Sequence, residues 1–453
     1  MAPERVLLLT VGGSPEPLKT AIESLNPKRC IFVHTSESEE KALQVVEETG
    51  VQAELVYLDD PDDPAEVYDR IFRRLLAEVR EGHQVHVDYT GGTKTMSAAA
   101  LMAASDLDIE VHVTTGERKD ATQINSGEST RKIDKSGVIH HRFLALHLPP
   151  LVESYLYGPL ERSVRHLGAE HPAPDREVFD VLVALVSGFA AWDRFDHDRA
   201  VNMFRSHKKM LGARWSFLCN ARQERRWLES RQSASPVQTK EHESEEQAED
   251  SDECSEVVSS QRPPRQVGWL VADLLRNAKR KAKAGLFDDA VGRMYRALEL
   301  MAQLLLAARH DIDTGKVDLF ELARRGDSVD QEILREMIAS NKGQTTAKVG
   351  LLDSWRLLAA LGDEEGRAFL ERENEMRTAL EKRNLSLFAH GFTPIDKTGW
   401  KVVKKTIGGF LEEILAAQGL TDDLWPQFPK KPAWFEEALG LRAAPTEESP
   451  SDS

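Results

Sequence analysis

Two small sets of residues in this chain have the types and spacing for chemistry on phosphates. The first is a pair of glycine turns, Gly12-Gly13-Ser14 and Thr90-Gly91-Gly92-Thr93-Lys94. Glycines let a backbone approach an anion closely, and a helix that follows aims free N–H groups and a partial positive charge at it. Thr90, Thr93 and Thr95 add hydroxyls and Lys94 a cation, so the second turn reads as a phosphate cradle. Neither turn has the spacing G-x-x-x-x-G-K-[ST] or G-x-G-x-x-G, which argues against ATP hydrolysis and dinucleotide redox chemistry. The plainer alternative is a Gly-Gly turn joining strand to helix in any α/β domain.

The second set is Arg383, Asn384 and His390, with Gly391 closing the run. Seven positions on a helix are a rotation of roughly 700°, about 20° short of two turns. Arg383 and His390 are thus expected on one helix face with Met376, Leu380 and Leu387. Buried cations without partners are costly, so this stripe should meet a cleft or a subunit interface. Histidine can move a proton at a ribose 2′-oxygen or at the leaving oxygen, and arginine can stabilise the charge on a phosphorane. Asn384 is placed to orient the phosphate or the imidazole. That chemistry cleaves RNA and needs no metal. The alternative is a surface arginine and a histidine suited to a helix C-terminus.

The elements that must position these residues are legible in the hydropathy. Residues 5–11 (RVLLLTV) are a continuous apolar run, as in a strand buried on both faces of a parallel sheet. Strands are expected at 30–34, 53–58, 85–87 and 109–115, and helices at 18–25, 38–49, 64–81 and 94–104. Such alternation predicts a parallel sheet with helices on both faces and ligands at the carboxyl ends of its strands. Gly12 to Ser14, Thr90 to Lys94 and Thr115 all fall at such ends. Beyond residue 150 the pattern turns helical, with helices expected at 177–189, 198–227, 273–284 and 288–308. The last two read as a hairpin broken at Gly285, without a repeat of about 34 residues elsewhere. Residues 233–265 are acidic and poor in apolar side chains, the composition of a disordered tether, and 443–453 read as a loose tail.

A net charge of −16 over 453 residues argues against a constitutive, non-specific nucleic-acid binder. Three widely spaced cysteines argue against a disulfide framework or a thiolate zinc site. The first apolar run is too short for a signal core or a membrane span. A soluble, cytoplasmic protein is expected.

VGGSPEPL and DYTGGTKTMSAAAL resemble the two ligand-loop motifs of the CARF domain, and RNLSLFAHGF resembles the R-x4–6-H motif of HEPN nucleases. DLLRNAKRKAKAGLFDDAVGRMYRALEL is similar to the helical pair that opens the effector domain in one variant of that family. In this order they resemble the CARF–HEPN ribonucleases of type III CRISPR systems. The resemblance implies an α/β, Rossmann-like CARF domain at 1–150 and an all-α remainder. The latter comprises a helical spacer at 151–231, an acidic linker at 232–266, a HEPN-like domain at 267–420 and a C-terminal extension and tail at 421–453. It implies a homodimer that binds cyclic oligoadenylate across paired CARF domains and then cuts single-stranded RNA, with no cofactor, metal or membrane. Carried over by position, Gly13, Ser14, Thr93 and Lys94 hold the ligand, Thr115 adds to them, and Arg383 and His390 are the catalytic pair. R-x6-H stands at the long end of the family spacing. Two rivals are a non-enzymatic sensor that relays ligand binding and an unrelated nucleotide-binding protein with a helical dimerisation domain.

Overall fold

The computed structural model describes residues 3–118, 124–233, 254, 266–326, 329–341, 344, 346–386, 389 and 391–441. These fall into two compact units, residues 1–143 with 171–174, and residues 144–170 with 175–453.

In the first unit the expected alternation is present. It runs β1 (Arg5–Thr10), α1 (Glu16–Leu25), β2 (Arg29–His34), α2 (Glu39–Thr49), β3 (Gln52–Tyr57) and α3 (Pro64–Arg80). β4 (Gln84–Asp88), α4 (Lys94–Asp106), β5 (Glu110–Arg118), β6 (Ile124–Lys132) and α5 (Ser136–Arg142) follow. The sheet order is β3-β2-β1-β4-β5-β6. The first five strands are parallel, but β6 pairs antiparallel with β5. β6 has no place in the expected alternation, because its sequence INSGESTRK carries no apolar period to announce a strand.

β1 shows why the apolar run is unbroken. Val6 and Leu8 pack with Ile71 and Leu75 of α3 and Ala100 of α4, whereas Leu7 and Leu9 pack with Leu18 and Ala21 of α1 and Ala42 of α2. Successive side chains of a strand point to opposite faces, so both faces are core. Ala99, Ala100, Ala103 and Ala104 let α4 lie close on its face. β1 continues to β2 on one side and lies against β4 on the other, which makes the β1/β4 tips the switch point where such sheets bind ligands.

The second unit is helical apart from a two-residue pairing of β7 (Val317–Asp318) with β8 (Thr346–Ala347). It begins with α6 (Leu148–Glu153), α7 (Tyr157–Glu170), α8 (Arg176–Asp193), α9 (His197–Phe204), α10 (Lys208–Leu211) and α11 (Ala213–Ser233). The expected single helix over 198–227 is therefore broken, and Gly212 takes a positive φ at the break. A hairpin of α12 (Trp269–Lys283) and α13 (Phe287–His310) follows, turning at Gly285. After α14 (Leu319–Ala323), α15 (Gln331–Ser340), α16 (Leu351–Ala360) and α17 (Glu364–Glu371) come α18 (Glu373–Asn384) and α19 (Lys397–Val403). A π turn at Lys404–Gly408 leads into α20 (Gly409–Ala417), and α21 (Pro432–Ala438) is last.

The helices before and after the acidic stretch share one core. The Trp192 indole N–H donates to Asp273, 3.1 Å, and the buried His197 meets the same carboxylate at 2.9 Å. Asp193 accepts from Asn277, Arg280 and Lys281. Glu224 on α11 accepts the N–H groups of Gly268 (2.6 Å) and Leu270 (2.7 Å), so a side chain from a distant helix caps the start of α12. The extension joins the same body: Tyr157 donates to the Pro429 carbonyl, and Phe428 and Phe435 stack around Phe189.

The cysteine expectation is corrected here. Cys219 and Cys254 form a disulfide across 35 residues of sequence, a proximity that spacing alone does not reveal. The rest of the expected tether, apart from Gln266, and the tail at 443–453 lie outside the described residues. No helix among the described residues is long and apolar enough to cross a membrane.

Candidate ligand cradle and candidate active site

The two glycine turns meet at the switch point. Leu9 of β1 is in register with Asp88 of β4, so the chain leaves both strands at one level. Gly91 then passes so close to β1 that a Cβ on it would stand 2.2 Å from the Thr10 carbonyl oxygen, and one on Gly12 would stand 2.6 Å from the Gly92 nitrogen. Only glycines permit that approach. Thr10 (2.6 Å) and Ser97 (3.1 Å) both donate hydroxyls to the Gly91 carbonyl, which fixes the orientation of its peptide plane.

Asp88 anchors the loop from below. Its buried carboxylate accepts the Thr90 N–H (2.9 Å) and the Thr114 hydroxyl (2.9 Å), and the Thr114 N–H donates to the Thr90 hydroxyl oxygen (2.6 Å). Burial pushes the Asp88 carboxyl above its ordinary value, and the bonds from Thr90 and Thr114 pull back in part. These contacts lace the tip of β4 to β5.

Thr93 caps α4. Its hydroxyl oxygen accepts the Met96 N–H (3.2 Å) and its proton goes to the Pro61 carbonyl (3.2 Å), so the side chain shapes the helix start. Among the described residues, no acceptor takes the N–H groups of Lys94 and Thr95, and the Lys94 side chain is exposed without an ion pair. An anion at this helix start would meet two amides and an ammonium. At the β1 tip Gly13 is exposed, Ser14 is half-buried, and Lys41 reaches the Gly13 carbonyl at 2.6 Å, a second cation that the motif reading missed. Thr115 stands one strand away with its hydroxyl 3.2 Å from that of Ser129. Gly12, Gly13, Ser14, Thr90, Gly91, Gly92, Thr93 and Lys94 therefore gather at adjoining tips, and Thr115 lies on their flank.

The second set departs from expectation. α18 stops at Asn384, and the chain then folds back on itself. Ala389 (3.0 Å) and Gly391 (3.1 Å) donate to the Ser386 carbonyl, and Thr393 donates to that of Leu385 (3.3 Å). A Cβ on Gly391 would lie 1.9 Å from the Leu385 oxygen, so this return passes through a glycine that packs on backbone. The rotation that set Arg383 and His390 on one helix face assumed a helix that does not continue. His390 and Leu387 lie outside the described residues; Met376 and Leu380 are buried, as the stripe required.

Arg383 sits on the last turn of α18, half-buried. Its guanidinium lies 4.6 Å from the ring centroid of Tyr295, and one Nη donates to the Asn384 side-chain oxygen at 3.3 Å. The far end of the turn is held by Asp288, whose carboxylate accepts the Ile395 N–H (3.1 Å), and by Asp396, which caps α19. Tyr295 and Asp288 were not foreseen. They are seven apart on the uninterrupted α13, so here the helical arithmetic does put two residues on one face.

Comparison with known proteins agrees with both halves. A family model for the Csm6 HEPN domain matches residues 260–414. The CRISPR system endoribonuclease Csm6 of Thermus thermophilus is 24% identical over 429 residues, covering 91% of this chain and 86% of that protein. The structure of Enterococcus italicus Csm6 bound to cyclic hexa-2′-fluoro-hexa-dAMP superposes with a TM-score of 0.53 at 10% identity, covering 97% of this chain and 100% of the other. With the glycine-lined switch point at one end and the matched helical domain at the other, the chain belongs to the CARF–HEPN family of type III CRISPR systems.

Proposed function

We propose that this protein is a cytoplasmic endoribonuclease of type III CRISPR defence, idle until a cyclic oligoadenylate binds at the β1/β4 tips. The observation that carries the reading is the junction of the two glycine turns beside the unpaired first-turn amides and Lys94 of α4. That arrangement suits a phosphate of the activator, with Gly12, Gly13, Ser14, Thr90, Gly91 and Gly92 lining the approach and Thr93 and Thr115 shaping its edges. A ring of phosphates with rotational symmetry fits a twofold site made of two copies of this cradle, so the working form is a homodimer. Activation follows if the ring binds one arrangement of the dimer better than another.

In the helical unit, Arg383 and His390 act on single-stranded RNA. The ribose 2′-OH attacks the adjacent phosphate, His390 transfers a proton at the attacking or leaving oxygen, and Arg383 stabilises the phosphorane charge. Asn384, bonded to Arg383, orients that group. The products are a 2′,3′-cyclic phosphate and a 5′-OH, and no metal takes part.

The test is cleavage of a single-stranded RNA reporter in EDTA, with and without cyclic tetra- or hexa-adenylate. Cutting is expected only with activator. His390→Ala should abolish cutting and retain activator binding, whereas Lys94→Ala should weaken activator binding roughly tenfold or more. Activator binding without cleavage at any ring size would turn the reading to a relay sensor, and a protein that binds no such ring would overturn it.

A further inference from the structure

On the sheet face opposite α3 and α4, three potential metal ligands converge one step below the cradle. Val85 and Val87 of β4 and Val111 of β5 fill the core with those helices, so His86, Glu110 and His112 point the other way. Both histidines are only 5% exposed. His86 Nδ1 lies 3.1 Å from His112 Nε2, and one Glu110 oxygen lies 3.4 Å from the first and 3.8 Å from the second. A circle through three atoms so spaced has a radius of about 2.0 Å, the length of a zinc–nitrogen or zinc–carboxylate bond. Tetrahedral zinc keeps neighbouring donors about 3.3 Å apart, so the three atoms outline one face of its coordination shell.

The surroundings favour this use. Lys132 holds the other Glu110 oxygen at 2.5 Å, which turns the free oxygen toward the imidazoles, as outer partners of ligating carboxylates do. The Glu110 side chain is partly open to solvent, so water can complete the fourth position. Without an ion only one hydrogen can lie between the two rings, and His86 Nε2 is buried with no partner among the described residues. A second cluster, Glu78, Glu81 and His83, is already neutralised, because Glu78 pairs with Arg29 and Arg74.

We propose that His86, Glu110 and His112 form a zinc site that pins β4 to β5. Two imidazoles and a carboxylate are a borderline donor set suited to that ion. Each histidine stands two residues before a cradle anchor, His86 before Asp88 and His112 before Thr114, so the bound ion stiffens the strand ends that those residues lace together. The inference is independent of which ligand the cradle takes.

The experiment uses the full chain without a histidine tag, stripped with EDTA, dialysed and titrated with cobalt(II) chloride, then with zinc chloride. One cobalt per chain is expected, with the strong visible bands of tetrahedral cobalt, displaced by zinc, and saturation should raise Tm by on the order of 5 °C. Glu110→Gln, a change at a partly exposed side chain, should weaken binding at least tenfold, and His112→Asn should remove the bands. Absence of a tight equivalent in the unaltered protein would overturn the site, as would equal affinity in Glu110→Gln or loss of the bands on His83→Ala. If His112→Asn does not fold, the stoichiometry and the Glu110→Gln titration still decide.

Discussion

Gly91→Ala tests whether the cradle is a binding surface or only a turn. The added methyl would start 2.2 Å from the Thr10 carbonyl oxygen and 3.1 Å from the Gly12 nitrogen. Relief to ordinary van der Waals contact requires the β1 tip and the Gly91 turn to part by about 1 Å. The Thr10 bond to the Gly91 carbonyl, now 2.6 Å, would then leave hydrogen-bonding range, and the Ser97 bond at 3.1 Å would follow. Two such bonds contribute about 2 kcal/mol to stability. A cradle displaced by that much also loses at least one charge-assisted bond to phosphate, which weakens binding roughly 10- to 100-fold. Calorimetric titration with cyclic tetra- and hexa-adenylate reads the affinity, and a thermal melt reads the fold. Gly292→Ala on α13 is the control: nothing lies within 4 Å of its Cβ, and helix propensity should stabilise it by about 0.5–1 kcal/mol. A folded Gly91→Ala protein that binds the activator within twofold of the unaltered one would refute the argument.

Two further outcomes are expected. Tyr295→Ala removes the ring under Arg383, about 0.5–2 kcal/mol of cation–π attraction, so kcat on an RNA reporter should fall roughly 2- to 30-fold with KM little changed. Tyr295→Phe should restore it, and a Phe variant as slow as the Ala one would show that the ring does not position Arg383. Burial raises the Glu224 carboxyl to about 7 from its ordinary 4.5, against the pull of the Leu270 and Gly268 amides. A raised folded-state value means that the folded protein holds the proton more tightly. The associated stability is full below pH 4.5 and lost as pH rises through about 7, a total of roughly 3 kcal/mol. Urea unfolding should show the unaltered protein losing that much relative to Glu224→Gln over this range; parallel pH curves for the two would disprove it.

The sequence by itself determined whatever depends on neighbours along the chain. The apolar run at residues 5–11, the alternation through residue 115, the two glycine turns and the α12–α13 hairpin follow from side-chain period and turn chemistry, which operate over a few residues. Tertiary structure decided what depends on distant approach. Thr10 reaches Gly91 across 81 positions and Asp88 reaches Thr114 across 26, and neither partner carries a signal of the other. β6 gains its place from pairing, not from its own composition, and Cys219 meets Cys254 through a long excursion. Arg383 marks the boundary between the two kinds of information. Its residue type was legible, but the helix that was to carry it round to His390 ends one residue later. The reason is that a helix end is set by backbone contacts such as Gly391 on Leu385, which periodicity cannot register.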